Sequence, residues 1–276
     1  MGSFRRVSVI AGYEWKRAWA KKSLLALVIL AVVIQTLIIL TDYGYSRSGI
    51  TFFGVGSNLI WIYAVLGGGS EGFFFVQLIA IIIAGGSMSE EYEHGTADIL
   101  LSKPISRIEY LFGKFLGGFS LLAMIEALIT FVGVVLSFGF FGAQSYVQFA
   151  PLLFFALAYS SLIFFCLSFM FSEVFRGTTL AILLAFAIFI ASSVIGSLLS
   201  FMNGTVGRAV PTWAATNFPG LMMSEMITAP GTSFLIPAVD TEALYEAALI
   251  VAVYAAIFFI IAALRILKSD VTKKKD

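Results

Sequence analysis

The chain has 276 residues, 60% of them hydrophobic and only 12% charged, with a mean hydropathy of +0.99. Apolar runs near or above the length needed to cross a bilayer recur along it, which excludes a soluble domain folded around one large core. The 17 Lys and Arg almost balance the 16 Asp and Glu, so no global basic field points to nucleic acid.

The first 22 residues form a polar leader with helical spacing. Phe4, Val7, Ala11, Trp15, Ala18 and Trp19 fall on one side, with Arg6, Lys16 and Arg17 on the other. Such a pattern predicts a helix lying along the membrane interface; an ordinary charged flank of a first span is the alternative. The apolar run that follows has no small-residue cleavage site ahead of it, so it reads as an uncleaved span and not as a signal peptide.

Six spans are expected in turn: Ser23 to Leu40, Gly72 to Met88, Phe115 to Phe141, Phe149 to Phe171, Thr178 to Met202 and Leu244 to Leu267. The second is the shortest. With these spans, fifteen of the 17 Lys and Arg fall on one side of the membrane, and only Arg47 and Arg208 on the other. Retention of positive charge in the cytoplasm therefore places both termini and the segment Ser89 to Lys114 inside the cell. Asp240 is the expected N-cap of the last span, with Glu242 and Glu246 near the positive end of its dipole and Arg265 and Lys268 near the negative end.

Two connections outside the membrane are unusual. Residues 203–243 contain Pro211, Pro219, Pro230 and Pro237 yet also the apolar piece Phe218 to Ile227, which predicts a short re-entrant or surface helix capping the bundle. A second interrupted region, Leu59 to Leu66, is expected to pack beside it.

The polar segment 89–114 is the densest concentration of charge in the chain. Ser106 and Glu109 have the spacing of a capping box, so the third helix begins before the lipid. Gly95 and Pro104 isolate Thr96 to Ser102 as a short helix carrying Ile99, Leu100 and Leu101. Three consecutive aliphatics cover more than one face of such a helix, which suits a groove on a soluble partner; tucking against the membrane surface is the alternative.

The string Glu91, Glu93, Gly95, Thr96, Leu100, Leu101, Pro104, Ile105, Ser106, Arg107, Gly113, Lys114 resembles the signature of integral-membrane permease subunits of ATP-binding-cassette (ABC) transporters, in their six-helix, ABC-2-like exporter branch. The resemblance implies that this segment is a coupling helix docking on a separate ATPase subunit, which binds ATP and Mg. Glu91, Glu93, Gly95, Thr96, Ile99, Leu100, Leu101, Pro104 and Arg107 are then the docking residues. It also implies that the leader is the family's connecting helix, that the external piece is its re-entrant gate, and that cargo is exported.

The sequence holds no G-x-x-x-x-G-K-[ST] loop, so ATP hydrolysis is expected in another chain and this one is not itself an enzyme. His94, the only histidine, lacks a second ligand for zinc, and no cofactor or metal is expected. Cys166, the single cysteine, reads as a buried apolar residue. Glu126 stands deep in a span; it either faces a translocation path or bonds to hydroxyls of neighbouring helices. Gln77 is a weaker case of the same choice. Gly113 and Gly117 form a G-x-x-x-G that allows close helix approach.

The expected architecture is all-α: one transmembrane domain over 1–276, with interfacial helix 1–22, cytoplasmic coupling segment 89–114 and external loop 203–243. A second permease copy or close paralogue completes the path in the plasma membrane. An ion-coupled secondary transporter or channel acting without an ATPase is the competing class.

Overall fold

The structure is a computed structural model that describes residues 3–47, 59–66, 73–96, 105–202, 204–227 and 240–268. Among the described residues all regular structure is helical. A chain whose apolar runs face hydrocarbon must satisfy its backbone N–H and C=O groups within each segment, and the helix does so.

The helices in chain order are α1 (Ser3–Ala20), α2 (Lys22–Arg47), α3 (Ile60–Val65), α4 (Phe73–Glu93), α5 (Arg107–Phe141), α6 (Ala150–Phe175), α7 (Thr178–Met202), α8 (Gly204–Arg208), α9 (Pro211–Met226) and α10 (Thr241–Lys268). Among the described residues five stretches are long and apolar enough to cross a membrane: Leu24–Gly44, Arg107–Phe141, Val147–Phe175, Thr178–Met202 and Thr241–Lys268. The expected second span is α4, which is not among the five. The described residues there begin at Phe73, and the apolar part of α4 runs directly into Glu90, Glu91 and Glu93. Its burial is nonetheless that of a core helix, with Val76, Ile79, Ala80, Ile81, Ala84 and Met88 all inside.

Helix α6 is the centre of the bundle. Of its most apolar stretch 72% is buried, against 22–39% for the other four spans. It packs on α4, α7, α9 and α10. Small polar residues on α6 tie it to α4: Ser168 Oγ donates to Ile81 O at 2.7 Å, and Ser172 Oγ accepts from the backbone N–H of Met88 and Ser89 at 3.0 and 2.8 Å. In hydrocarbon these bonds and close packing stand in for the hydrophobic drive that water would supply.

Helix α5 is 35 residues long, about 50 Å at the α-helical rise, and so exceeds a hydrocarbon core of roughly 30 Å. The surplus lies at its start. The capping box is present: Ser106 Oγ accepts from Glu109 N at 3.1 Å, and Glu109 Oε2 accepts from Ser106 N at 3.0 Å. Ser106→Ala is expected to lower stability by about 1 kcal/mol. Faster amide exchange confined to 107–110 would check that the loss sits at this helix start.

Residues 204–227 are more helical than their prolines suggest. Helix α9 starts at Pro211, whose missing N–H costs nothing in the first turn, and continues through Pro219. Ala214, Ala215, Phe218, Leu221 and Met223 are buried, chiefly against α6 and α10. Helix α3, expected beside this region, instead packs mainly on α5 and α2, with Trp61 Nε1 donating to Ser145 O at 2.8 Å. The N-cap of α10 is as expected, with Asp240 Oδ1 accepting from Ala243 N at 2.9 Å.

Candidate functional site

At the end of the bundle where α1 lies, the charges gather into a buried knot. Helix α1 seats on α5 through two glycines. A Cβ on Gly113 would stand 2.7 Å from Ile10 Cβ, and one on Gly117 would stand 2.9 Å from Ala11 Cα. The G-x-x-x-G spacing is thus the groove that receives α1, with Trp15 Nε1 donating to Ser120 Oγ at 2.8 Å one turn further on.

Between the two glycines Lys114 is fully enclosed, at 0% exposure. Its ammonium group bonds to Glu14 of α1, to Glu91 of α4 and, at 3.2 Å, to Ser87 O. Tyr110 OH donates to Glu91 as well. Arg17 reaches in from α1, with Nη2 2.6 Å from Glu14 Oε2 and 3.0 Å from Ser87 O, and Nη1 3.6 Å from Glu91 Oε1. Lys21 pairs with Glu90 at the rim. Three carboxylates thus face three cations, and a balanced cluster with multiple hydrogen bonds is the arrangement that makes buried charge tolerable. The charged side of α1 therefore turns partly inward. Arg17 faces protein where amphipathic spacing puts it on the outer side of an interfacial helix, because Glu14 beside it and Glu91 across from it attract its guanidinium inward.

A second set of bonds extends the knot to the remaining helices. Tyr92 OH donates to Glu173 Oε2 of α6 at 2.8 Å, under the Arg176 guanidinium 4.6 Å from its ring centre. Burial, and then the Glu173 carboxylate, push the Tyr92 phenol well above its ordinary pKa. Glu93 accepts from Thr178 N at 2.7 Å and from Thr178 Oγ1 at 2.9 Å, so it caps α7 from outside, at the positive end of that helix. Arg176 takes the left-handed conformation, φ 53°, in the tight link between α6 and α7. Arg107 Nη1 donates to Ile266 O at 3.0 Å and Leu267 O at 3.3 Å, at the negative end of α10. Arg6 pairs with Glu109 at 2.8 Å.

Helix α4 stops at Gly95, whose φ of +67° is the left-handed conformation that ends helices and that glycine adopts without strain. Thr96 Oγ1 donates to Glu91 O at 3.4 Å. Of the expected docking residues, Glu91 is 2% exposed and engaged in the knot, Glu93 and Arg107 are bonded to neighbouring helix ends, and Gly95 and Thr96 lie at the tip of α4. Ile99, Leu100, Leu101 and Pro104 fall outside the described residues. Gln77 and Glu126 are 0% and 1% exposed, inside this chain's own core, and Glu126 Oε1 accepts from Ser161 Oγ at 2.8 Å. That bond is the hydroxyl partnership between neighbouring helices that the sequence left open.

Sequence reasoning missed Glu14, Arg17 and Tyr110 as site residues, and it took Lys114 only as part of a signature string. The available signal was Glu14, an acid amid the basic leader, three residues before Arg17 and so on the same helical face. Among the described residues no group of three or more His, Cys, Asp or Glu side chains is placed to hold a metal ion.

An α-helical polytopic membrane protein most of whose ion pairs gather at one end, around the two roots of a short polar segment, is the class that fold and site define together. The chain matches the family described as ABC-2 family transporter protein over residues 8–271, and it belongs to that family as an ABC-2-type permease. Permeases of this family are the membrane components of ABC transporters and work with ABC ATPase subunits. None of the curated proteins compared with the chain matches it.

Proposed function

We propose that this permease is the translocating subunit of an exporter, driven through segment 97–104 by a separate ATPase that binds ATP and Mg. The observation that carries the reading is the knot. Six helices, α1, α4, α5, α6, α7 and α10, are bonded to one another around Glu91, Glu93 and Arg107, the residues on either side of that segment. A push on the segment reaches every one of them through charge-assisted bonds, where an exposed loop would absorb it.

In this reading α4 is the sixth span, surrounded by the core more than by lipid. The knot faces the cytoplasm, as the excess of Lys and Arg there requires, and the membrane is the plasma membrane. Thr96 to Ser102 is the docking helix, with Ile99, Leu100 and Leu101 entering a groove on the ATPase. Helix α9 caps the opposite end as a re-entrant element. A second permease copy or paralogue supplies the other half of the path, with twofold symmetry between the halves.

The test is co-purification with the cognate ATPase after changing Leu100 and Leu101 to Asp. Two charges in a desolvated apolar groove are expected to abolish association, a loss of at least a hundredfold, while the permease alone keeps its thermal midpoint. Undiminished association would remove the docking assignment.

A further inference from the structure

About halfway along the bundle lies a second polar layer that neither the knot nor the docking segment uses. Glu126 of α5 is 1% exposed; one carboxylate oxygen is bonded to Ser161, and Oε2 has no protein partner. Gln77 of α4 is 0% exposed and neither atom of its amide is bonded. Thr130, one turn beyond Glu126 on the same face, is 5% exposed with its hydroxyl likewise unbonded.

These groups share a depth. Gln77 stands about 21 Å along α4 from Glu91, and Glu126 about 18 Å along the antiparallel α5 from Lys114, the two residues that meet in the knot. Fourteen residues are close to four helical turns, so Gln77 also keeps nearly the same face of α4 as Glu91. On that helix Glu91 faces α5 and Tyr92 faces α6, and the α5 to α6 seam is where the Glu126 to Ser161 bond lies.

The chemistry of the layer is lopsided. Among these four side chains, Glu126 Oε2, Gln77 Oε1, Thr130 Oγ1 and Ser161 Oγ are oxygens and Gln77 Nε2 is the one nitrogen; Gln35 Nε2, against the same stretch of α5, is taken up by Ile129 O at 3.0 Å and Ala64 O at 3.1 Å. One proton on the carboxyl serves a single acceptor. A hard cation takes several oxygens at once, and one carboxylate balances one positive charge but not two. Lys114, a turnless 18 Å or so away along α5, is already held by Glu14 and Glu91.

We propose that Gln77, Glu126, Thr130 and Ser161 form a binding site for one monovalent metal cation of the size of Na+, inside a single subunit. It stands independently of the ATPase docking reading, and its failure would leave that reading intact. Bound cation neutralises the buried carboxylate and locks α4, α5 and α6 in one packing.

The full chain in nanodiscs reports this through Cys166, the single cysteine, which is 2% exposed and becomes reactive to a thiol-specific fluorophore only on unfolding. At constant pH and ionic strength, replacing choline chloride with NaCl is expected to raise the unfolding midpoint saturably, and Glu126→Gln to abolish the rise. Where Glu126→Gln does not fold, Thr130→Val carries the test: same shape, one oxygen fewer, and a half-effective Na+ concentration raised by up to about tenfold. Equal midpoints in Na+ and choline overturn the proposal. So does a midpoint that follows pH but not Na+, which would assign the layer to a protonated carboxyl, and so does an unchanged Na+ response in Thr130→Val.

Discussion

Lys114→Met is expected to be among the most damaging single substitutions in the chain, with a loss of about 3–5 kcal/mol, because it removes one member of a buried charge cluster and leaves the others in place. Glu14 and Glu91 would be left with Arg17 alone, at 2.6 and 3.6 Å, for two carboxylates that are 4% and 2% exposed. Methionine matches the length of the lysine stem, so the loss measures charge and not volume. The sign can be checked by removing a carboxylate as well: Lys114→Met with Glu91→Gln restores the balance and is expected to be less destabilised than Lys114→Met alone. Thermal unfolding of the four members of that cycle gives the coupling energy. Sodium chloride is expected to change it little, since ions do not screen a pair that water does not reach. Additive losses would mean that Lys114 and Glu91 do not act as a unit.

The same cluster shows where sequence reading stops. Helices were legible because long apolar runs leave the backbone no alternative, and the capping pair Ser106 and Glu109 and the N-cap Asp240 mark their starts by local chemistry alone. Arg17 was misplaced because amphipathic spacing describes one helix in isolation, and a charged face reads as solvated unless the opposite charge is known to lie against it. Glu91 sits 77 residues further along the chain from Glu14, and nothing local announces their meeting at Lys114. Helix α4 is a different case. It was expected as the second span, and the described residues there begin only at Phe73; the five spans do not include it, although it is the helix most intimately packed on the central α6. Proline punctuation likewise understated α9, because Pro211 occupies a first-turn position and Pro219 loses one bond in a helix held by neighbours on several sides.

Gly117→Leu is expected to unseat α1, at a cost of about 3 kcal/mol or more, because the obstacle it meets is α1 itself, backbone included. Its Cβ would stand 2.8 Å from Glu14 Cβ, 2.9 Å from Ala11 Cα and 3.0 Å from Ala11 O, and no rotamer change moves a Cβ or a main chain. Gly113 makes the informative contrast. There the Cβ meets Ile10 side-chain atoms at 2.7 and 2.8 Å, so Ile10→Ala is expected to recover part of the damage done by Gly113→Ala, whereas no side-chain truncation at Ala11 can rescue Gly117. Displacing α1 also withdraws Glu14 and Arg17, leaving Lys114 with Glu91 alone of its two carboxylates. Tryptic cleavage after Arg17 reports this directly: the residue is held in the knot by Glu14 and Ser87 in the native chain, and its peptide bond is expected to become at least tenfold more susceptible in Gly117→Leu as local opening grows more frequent. A variant that kept native protection there would show that α1 is held by the lipid surface and not by α5, and a push on segment 97–104 would then have no route to the leader.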